Sequence, residues 1–237
     1  KDMIQSHLLQ LLALVTMAMP HTLTAEAIHR EKFHILSALK FCDNDFLVRG
    51  QYASYKKEKN IAPDSHTETF AALKLCIDQT EWAKVPIYIR TGKMVNEKST
   101  YITIVFRKFD FQENIPDLKH NKLIIELQPE ANLYFKLSNK RGGSYKEYHQ
   151  VVPKESLACF GDDCLPEHGR LLLDIFKGER MHFLSFNEVI ACWKFIDAVL
   201  KAAENRKIAL ETYEDGSDGP ASQHELLKKE GHYWHKI

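Results

Sequence analysis

VPIYIR at residues 85–90, TGKMVNEKST at 91–100 and YITIVFR at 101–107 read as a strand, a polar turn and a second strand. Successive side chains of a strand point to opposite faces. Ile87 and Ile89 therefore share one face of the first strand, and Tyr88 and Arg90 take the other. Ile102, Ile104 and Phe106 alternate in the same way with Tyr101, Thr103, Val105 and Arg107. Gly92 gives the backbone the freedom a sharp turn needs. Arg90, Lys93 and Lys98 lie at or beside that turn, where a rigid hairpin would aim cations at an anionic or polyhydroxylated ligand. A solvated turn with ordinary lysines is the plainer alternative.

Around this stretch the chain is β-rich. Thr67 to Asp78 alternates Thr69, Ala71, Leu73, Leu75 and Ile77 against Phe70, Lys74 and Cys76. Lys122–Gln128 and Asn132–Asn139, joined by Pro129-Glu130-Ala131, form a hairpin, and Tyr145–Val152 adds a strand. Strands so close in sequence pair antiparallel. Upstream, Met3 to Met19 reads as a helix with Asp2 as N-cap and Pro20 as stop. From Leu8 onward it is apolar nearly all round, as a buried helix is. Thr24 caps a second helix running to about Cys42, and Phe46–Tyr52 is a short strand. Downstream, Pro166 opens a helix that closes at Gly178. Ser185 with Glu188, and Ser222 with Glu225, are capping boxes for two more. The fold class is α+β, one large, mostly antiparallel sheet covered on one face by helices, with residues 1–237 as one domain.

The 237 residues carry 32 basic and 32 acidic side chains, so no global field draws the chain to nucleic acid or an anionic membrane. Any preference for anions is local. The apolar run Leu8–Met19 is too short to span a bilayer, which needs about 20 residues. Five scattered cysteines, an odd number, point to reduced thiols in the cytosol. Cys159 and Cys164 with His168 lack the second ligand pair of a zinc site, so no metal is expected. A chain that opens on Lys1-Asp2 directly into a helix reads as part of a longer polypeptide.

Two of these stretches, taken together, resemble the glucose-6-phosphate dehydrogenases. Lys1-Asp2-Met3-Ile4-Gln5-Ser6-His7-Leu8-Leu9-Gln10 is similar to that family's helix with the catalytic histidine, and Val85 to Lys93 to its substrate-side hairpin. The likeness continues, in family order, through Thr69-Phe70-Ala71-Ala72-Leu73-Lys74, Trp193-Lys194-Phe195-Ile196-Asp197, Leu210-Glu211-Thr212-Tyr213, Gly216-Ser217-Asp218-Gly219-Pro220 and Trp234. It covers nearly all of this chain but only the C-terminal half or so of the family's enzyme.

The resemblance implies that His7 is the general base, taking the proton from the anomeric hydroxyl of glucose 6-phosphate as hydride leaves the same carbon for NADP. It implies that Asp2 binds the sugar and that Lys93 and Lys98 hold the substrate. Arg90 also matches, and an ion pair supporting the hairpin is the role expected for it. Dimerisation through the sheet is a family-level implication, and the cytoplasmic location rests on the cysteines. The chain has no glycine-rich turn opening a helix after a strand, so NADP would be bound mainly by the N-terminal domain absent from this chain. Ser99, Thr103, Glu126 and Asp218 stand where some members hold a second, structural NADP, and none of them attracts phosphate. The family's orienting aspartate and phosphate-gripping lysine lie in the missing part, so the fragment alone is expected to be inactive. A stand-alone, non-catalytic sugar-phosphate-binding or assembly module is the alternative reading.

Overall fold

In the computed structural model, residues 1–41, 45–79, 81–109, 112, 115, 118–143, 147–159, 164–165 and 167–235 are described. A π-helical turn (Met3–Leu8) runs into α1 (Leu9–Thr16), followed by α2 (Ala25–Ser37), β1 (Leu39–Lys40) and β2 (Leu47–Tyr52). After a short 3-10 turn (Tyr55–Lys57) come β3 (Phe70–Ile77), β4 (Ile87–Gly92), β5 (Thr100–Val105), β6 (Lys122–Gln128), β7 (Asn132–Lys140), β8 (Tyr148–Val151) and β9 (Lys154–Ser156). The chain closes with α3 (Glu167–Lys177), α4 (Phe186–Asn205), β10 (Leu210–Tyr213) and α5 (Ser222–Lys228).

The α+β class holds, but the strands make two sheets in two compact units. One unit comprises Lys1–Asn96 and Leu165–Trp234, the other Glu97–Cys164 and His235–Ile237. The boundary, which composition does not mark, falls inside the turn read above as the tip of a hairpin. That hairpin does not form. β4 pairs with β3, from Phe70↔Gly92 to Leu75↔Ile87, whereas β5 pairs with β6. Alternation assigns the two strands correctly but carries no information about which strand each one joins.

In the first unit β3 lies between β4 and β2, β1 pairs with its C-terminal end, and β10 runs parallel to β2. The two faces of β3 separate as their alternation predicts. Leu73, Leu75 and Ile77 join Ile4, Leu9, Ala13, Ile35, Leu36, Phe195 and Ile196 under the helices. Phe70 and Ala72 face the other way, toward Leu226 and Leu227 of α5. Each fully buried Leu, Ile or Phe contributes about 1.5–3 kcal/mol.

In the second unit β5, β6, β7 and β8 follow in antiparallel order, with β9 beside β7. The Pro129–Ala131 hairpin forms as expected between β6 and β7.

Several local expectations change. Asp2 does not cap. Its backbone is already helical, and its carboxylate and carbonyl accept hydrogen bonds from the Ser6 hydroxyl at 2.9 and 2.8 Å. Thr24 does cap α2, accepting from the Ala27 amide at 3.3 Å, but the helix ends at Ser37 because Leu39 and Lys40 leave it to pair with Ile77 and Cys76. The Ser185–Glu188 capping box forms. Ser222 instead lies inside α5 and donates to Glu211 at 2.6 Å. Pro166 and Cys42 lie outside the described residues. α1 is only partly buried, with Leu14 exposed.

The cysteines also depart from the reduced state expected. Cys159 and Cys164 are joined in a disulfide, Cys76 is disulfide-bonded, and Cys192 is a buried free thiol. The paired sulfurs are committed to each other and are not thiolate ligands for a metal. No helix among the described residues is long and apolar enough to cross a membrane.

Candidate functional site

His7 sits on the π-helical turn that leads into α1 and is exposed to solvent. In the turn the Leu9 amide reaches back five residues to the Ile4 carbonyl, which widens the backbone spiral just before α1 begins. Ile4 and Leu9 anchor it from below, in the same cluster that receives Ile87 and Ile89 of β4. The turn and β4 are thus neighbours in the first unit. Asp2, also exposed, is held beside Ser6 at the head of the turn.

Lys93 follows directly on β4, and its side chain is exposed. Its backbone is held on both sides. The Lys93 amide donates to the Thr69 carbonyl at 2.8 Å, and its carbonyl accepts from the Tyr213 hydroxyl at 2.6 Å. The Tyr213 oxygen also lies 2.9 Å from the Thr69 hydroxyl. Burial pushes the Tyr213 phenol above its ordinary range, so it remains a protonated donor. Beyond Lys93, the Asn96 amide donates to Ser217 at 2.9 Å, and the Gly216 amide to Met94 at 2.7 Å. Strand end and loop 214–219 are therefore stitched together, although some 120 residues separate them in sequence.

Gly92 is needed for space rather than for turning. A Cβ there would stand 2.7 Å from the Phe70 ring and 2.8 Å from Val95. Gly219, at φ +96°, packs against the same ring from the loop side, where a Cβ would approach it to 2.5 Å.

Arg90 forms the ion pair expected of it. Its guanidinium lies 3.3 Å from Asp218, donates to Gln223 at 2.8 Å and stacks 4.8 Å from the centre of the Trp234 ring. Next to it, Lys74 pairs with Glu230, whose carboxylate also accepts from the Tyr88 hydroxyl at 2.8 Å. The Lys74 ammonium holds the Glu230 carboxyl below its ordinary range. This face of β4 is spent on the closing segment of the chain, and its cations are committed.

Lys98 is exposed and belongs to the second unit. His7 and Asp2 thus lie on the turn, and Lys93 directly follows the strand that neighbours it, all in the first unit, whereas Lys98 lies in the second. Thr69 and Tyr213 escape sequence reasoning, because a clamp on a distant carbonyl leaves no local pattern.

Two of the residues standing where some family members hold a second NADP are carboxylates already engaged. The Glu126 carboxylate is buried in the second unit, accepting from Asn132 at 2.6 Å and Tyr134 at 2.8 Å, and Asp218 is paired with Arg90.

The family model for the glucose-6-phosphate dehydrogenase C-terminal domain matches residues 1–235. The chain belongs to that family. Glucose-6-phosphate 1-dehydrogenase of Bacillus subtilis (strain 168) is 35% identical over 255 residues, covering 100% of this chain and 52% of that protein. The Buchnera aphidicola (subsp. Acyrthosiphon pisum) enzyme is 34% identical, with 100% and 53% covered. Among solved structures, glucose-6-phosphate dehydrogenase in complex with its substrate glucose-6-phosphate superimposes with a TM-score of 0.88 at 29% identity, over 99% of this chain and 51% of that one. Glucose-6-phosphate 1-dehydrogenase from Mycobacterium avium gives 0.82 at 30% identity, with 99% and 50% covered. This glucose-6-phosphate dehydrogenase C-terminal domain thus spans about half the length of the relatives it matches.

Removing the Tyr213 hydroxyl tests the clamp. Tyr213→Phe leaves the Lys93 carbonyl and the Thr69 hydroxyl without their buried partner, at a cost of about 1–3 kcal/mol. Thermal melting is expected to fall by several degrees, and amide exchange at Lys93 and Met94 to quicken. Unchanged melting and exchange would remove Tyr213 from the account.

Proposed function

We propose that this chain is the substrate-side half of an oxidoreductase that oxidises glucose 6-phosphate at C1, with NADP as the cofactor. His7 is the general base, Asp2 contacts the sugar, and Lys93 and Lys98 hold the substrate. The observation that carries the reading is an exposed imidazole on the π-helical turn beside a strand that is directly followed by Lys93, whose backbone is fixed. Removing the C1 hydroxyl proton lets the carbon–oxygen bond gain carbonyl character, and an imidazole is the kind of group suited to that transfer. An ammonium on a rigid strand end supplies donors to ring or phosphate oxygens and fixes the reacting carbon. Lys98 is assigned on the family resemblance alone.

NADP belongs in this reading to a nucleotide-binding half outside this chain, since no glycine-rich turn opens a helix after a strand in this sequence. An apolar surface supports such a partner. Leu172, Ile175 and Phe176 of α3 and Phe186 at the start of α4 are all exposed, Phe176 to 87%. An 11-residue helix with so little of its apolar surface buried is marginal alone, and exposed apolar side chains of this kind suit a surface that another body covers. A homodimer through the sheet and a cytoplasmic location complete the proposal, the latter resting on the family and not on the cysteines.

In the intact enzyme, Lys93→Met is expected to raise KM for glucose 6-phosphate about 10- to 100-fold, the loss of a charge-assisted hydrogen bond of about 1.5–3 kcal/mol, with KM for NADP little changed. The 237-residue chain by itself is expected to form no NADPH and to show no micromolar heat of binding with the sugar. An unchanged KM, or micromolar calorimetric affinity of this chain alone, would contradict the proposal.

A further inference from the structure

Four polar side chains are buried where α1, α2 and α4 meet. Lys32 of α2 places its ammonium 2.6 Å from a Glu188 carboxylate oxygen of α4, with side-chain exposures of 5% and 0%. The same ammonium donates to the Gln10 amide oxygen of α1 at 3.4 Å, and the Gln10 amide nitrogen donates to the Cys192 sulfur at 3.6 Å. Glu188 is fixed in turn by Ser185, through its amide at 3.2 Å and its hydroxyl at 2.8 Å. Burial pushes the Cys192 thiol up to about 11, so it stays neutral and accepts.

A bridge of this kind is a poor way to gain stability. Desolvating an ammonium and a carboxylate consumes most of what their attraction returns, and apolar side chains of similar size often do as well or better. What the bridge supplies is registry. Gln10 follows His7 by three residues on one continuous helical run, and both ends of its amide are held. His7 itself has no side-chain hydrogen bond among the described residues, so the fold fixes only the backbone position from which its ring projects. A helix with its side chains has a radius of about 5–6 Å, so a 20° roll would carry the imidazole about 2 Å. A misplacement of about 1 Å at a reacting centre can cost about 100-fold in rate.

We infer that Gln10, Lys32 and Glu188 are positioning residues for His7: their buried bridge fixes the roll of the helix that presents the imidazole. The inference rests on the proposed role of His7 as base and adds to it the device that aims the ring.

The test is the variant Gln10→Met/Lys32→Met/Glu188→Gln in the intact enzyme. It removes both charges together, keeps side-chain size, and leaves a residue at 188 that still completes the Ser185 capping box. Melting is expected to move by no more than a few degrees, and KM for glucose 6-phosphate by less than about threefold. kcat is expected to fall at least about tenfold. In the 237-residue chain, the His7 ring resonances are expected to broaden or shift while those of exposed His21 and His66 stay in place. Parental kcat with a folded variant, or unmoved His7 resonances, overturns the inference. A His7→Asn enzyme with parental turnover would instead sink the underlying role of His7, whatever the bridge variant does.

Discussion

Replacing His7 with asparagine in the intact enzyme is expected to lower kcat for glucose 6-phosphate oxidation by about 10²- to 10⁴-fold, the range removed when a positioned general base is lost. Asparagine keeps a polar, planar side chain on the π-helical turn but takes no proton. KM should move little, because the lysines and Asp2 remain to bind the sugar and because an interaction made chiefly in the transition state appears in kcat. Melting should be unaffected: His7 is exposed, and the turn is anchored through Ile4 and Leu9 instead. Steady-state kinetics with a thermal melt separate these outcomes. A variant that melts normally and turns over at more than about a tenth of the parental rate would deny His7 its role.

The second large effect lies in the helix core. Lys32→Met alone is expected to destabilise the protein by about 3–5 kcal/mol, because it strands the Glu188 carboxylate in a site with no access to water. For a domain of this size that corresponds to a fall in melting temperature of roughly 6–20 °C. Adding Glu188→Gln should recover most of the loss, since the neutral amide carries no uncompensated charge and still serves Ser185. The asymmetry between single and double variants is the signature sought in a double-mutant cycle. A single variant as stable as the parent would mean that water reaches Glu188 after all.

Much of the local structure is legible in the sequence. The alternation of β3 gives its two faces correctly, with Leu73 and Leu75 under the helices and Phe70 turned toward α5. Ser185 with Glu188 announces a helix start, and Gly178 its predecessor's end. Pairing is what local pattern does not carry. Ile87 and Ile89 alternate as any edge strand would, and nothing in VPIYIR says that its partner is β3 rather than the strand that follows. The same holds for the turn at Met94–Asn96, tied to Gly216 and Ser217 by backbone bonds that need no particular side chain. Gly92 looks like a turning residue until Phe70 and Val95 are seen beside it. The disulfides depend on which sulfurs the fold brings together. Lys32 did leave a signal. It falls between Ile28 and Leu36 at four-residue steps, a charge on the inward stripe of α2, where only a buried partner makes it tolerable.

The candidate site divides in the same way. His7, Asp2 and Lys93 stand out by residue type and by family likeness, whereas their supports, Tyr213, Thr69, Gln10 and Glu188, are set by contacts across the fold. The identity of the acting groups is local information, and their aim is not.

The central claim is that His7 and the lysine at the end of β4 serve one sugar. A crystal structure of the intact enzyme with glucose 6-phosphate tests it most directly. The account predicts a His7 ring nitrogen about 2.6–3.2 Å from the C1 hydroxyl oxygen, with the Lys93 ammonium on a ring or phosphate oxygen of the same molecule. Glucose 6-phosphate bound elsewhere, with His7 facing only water, would contradict it.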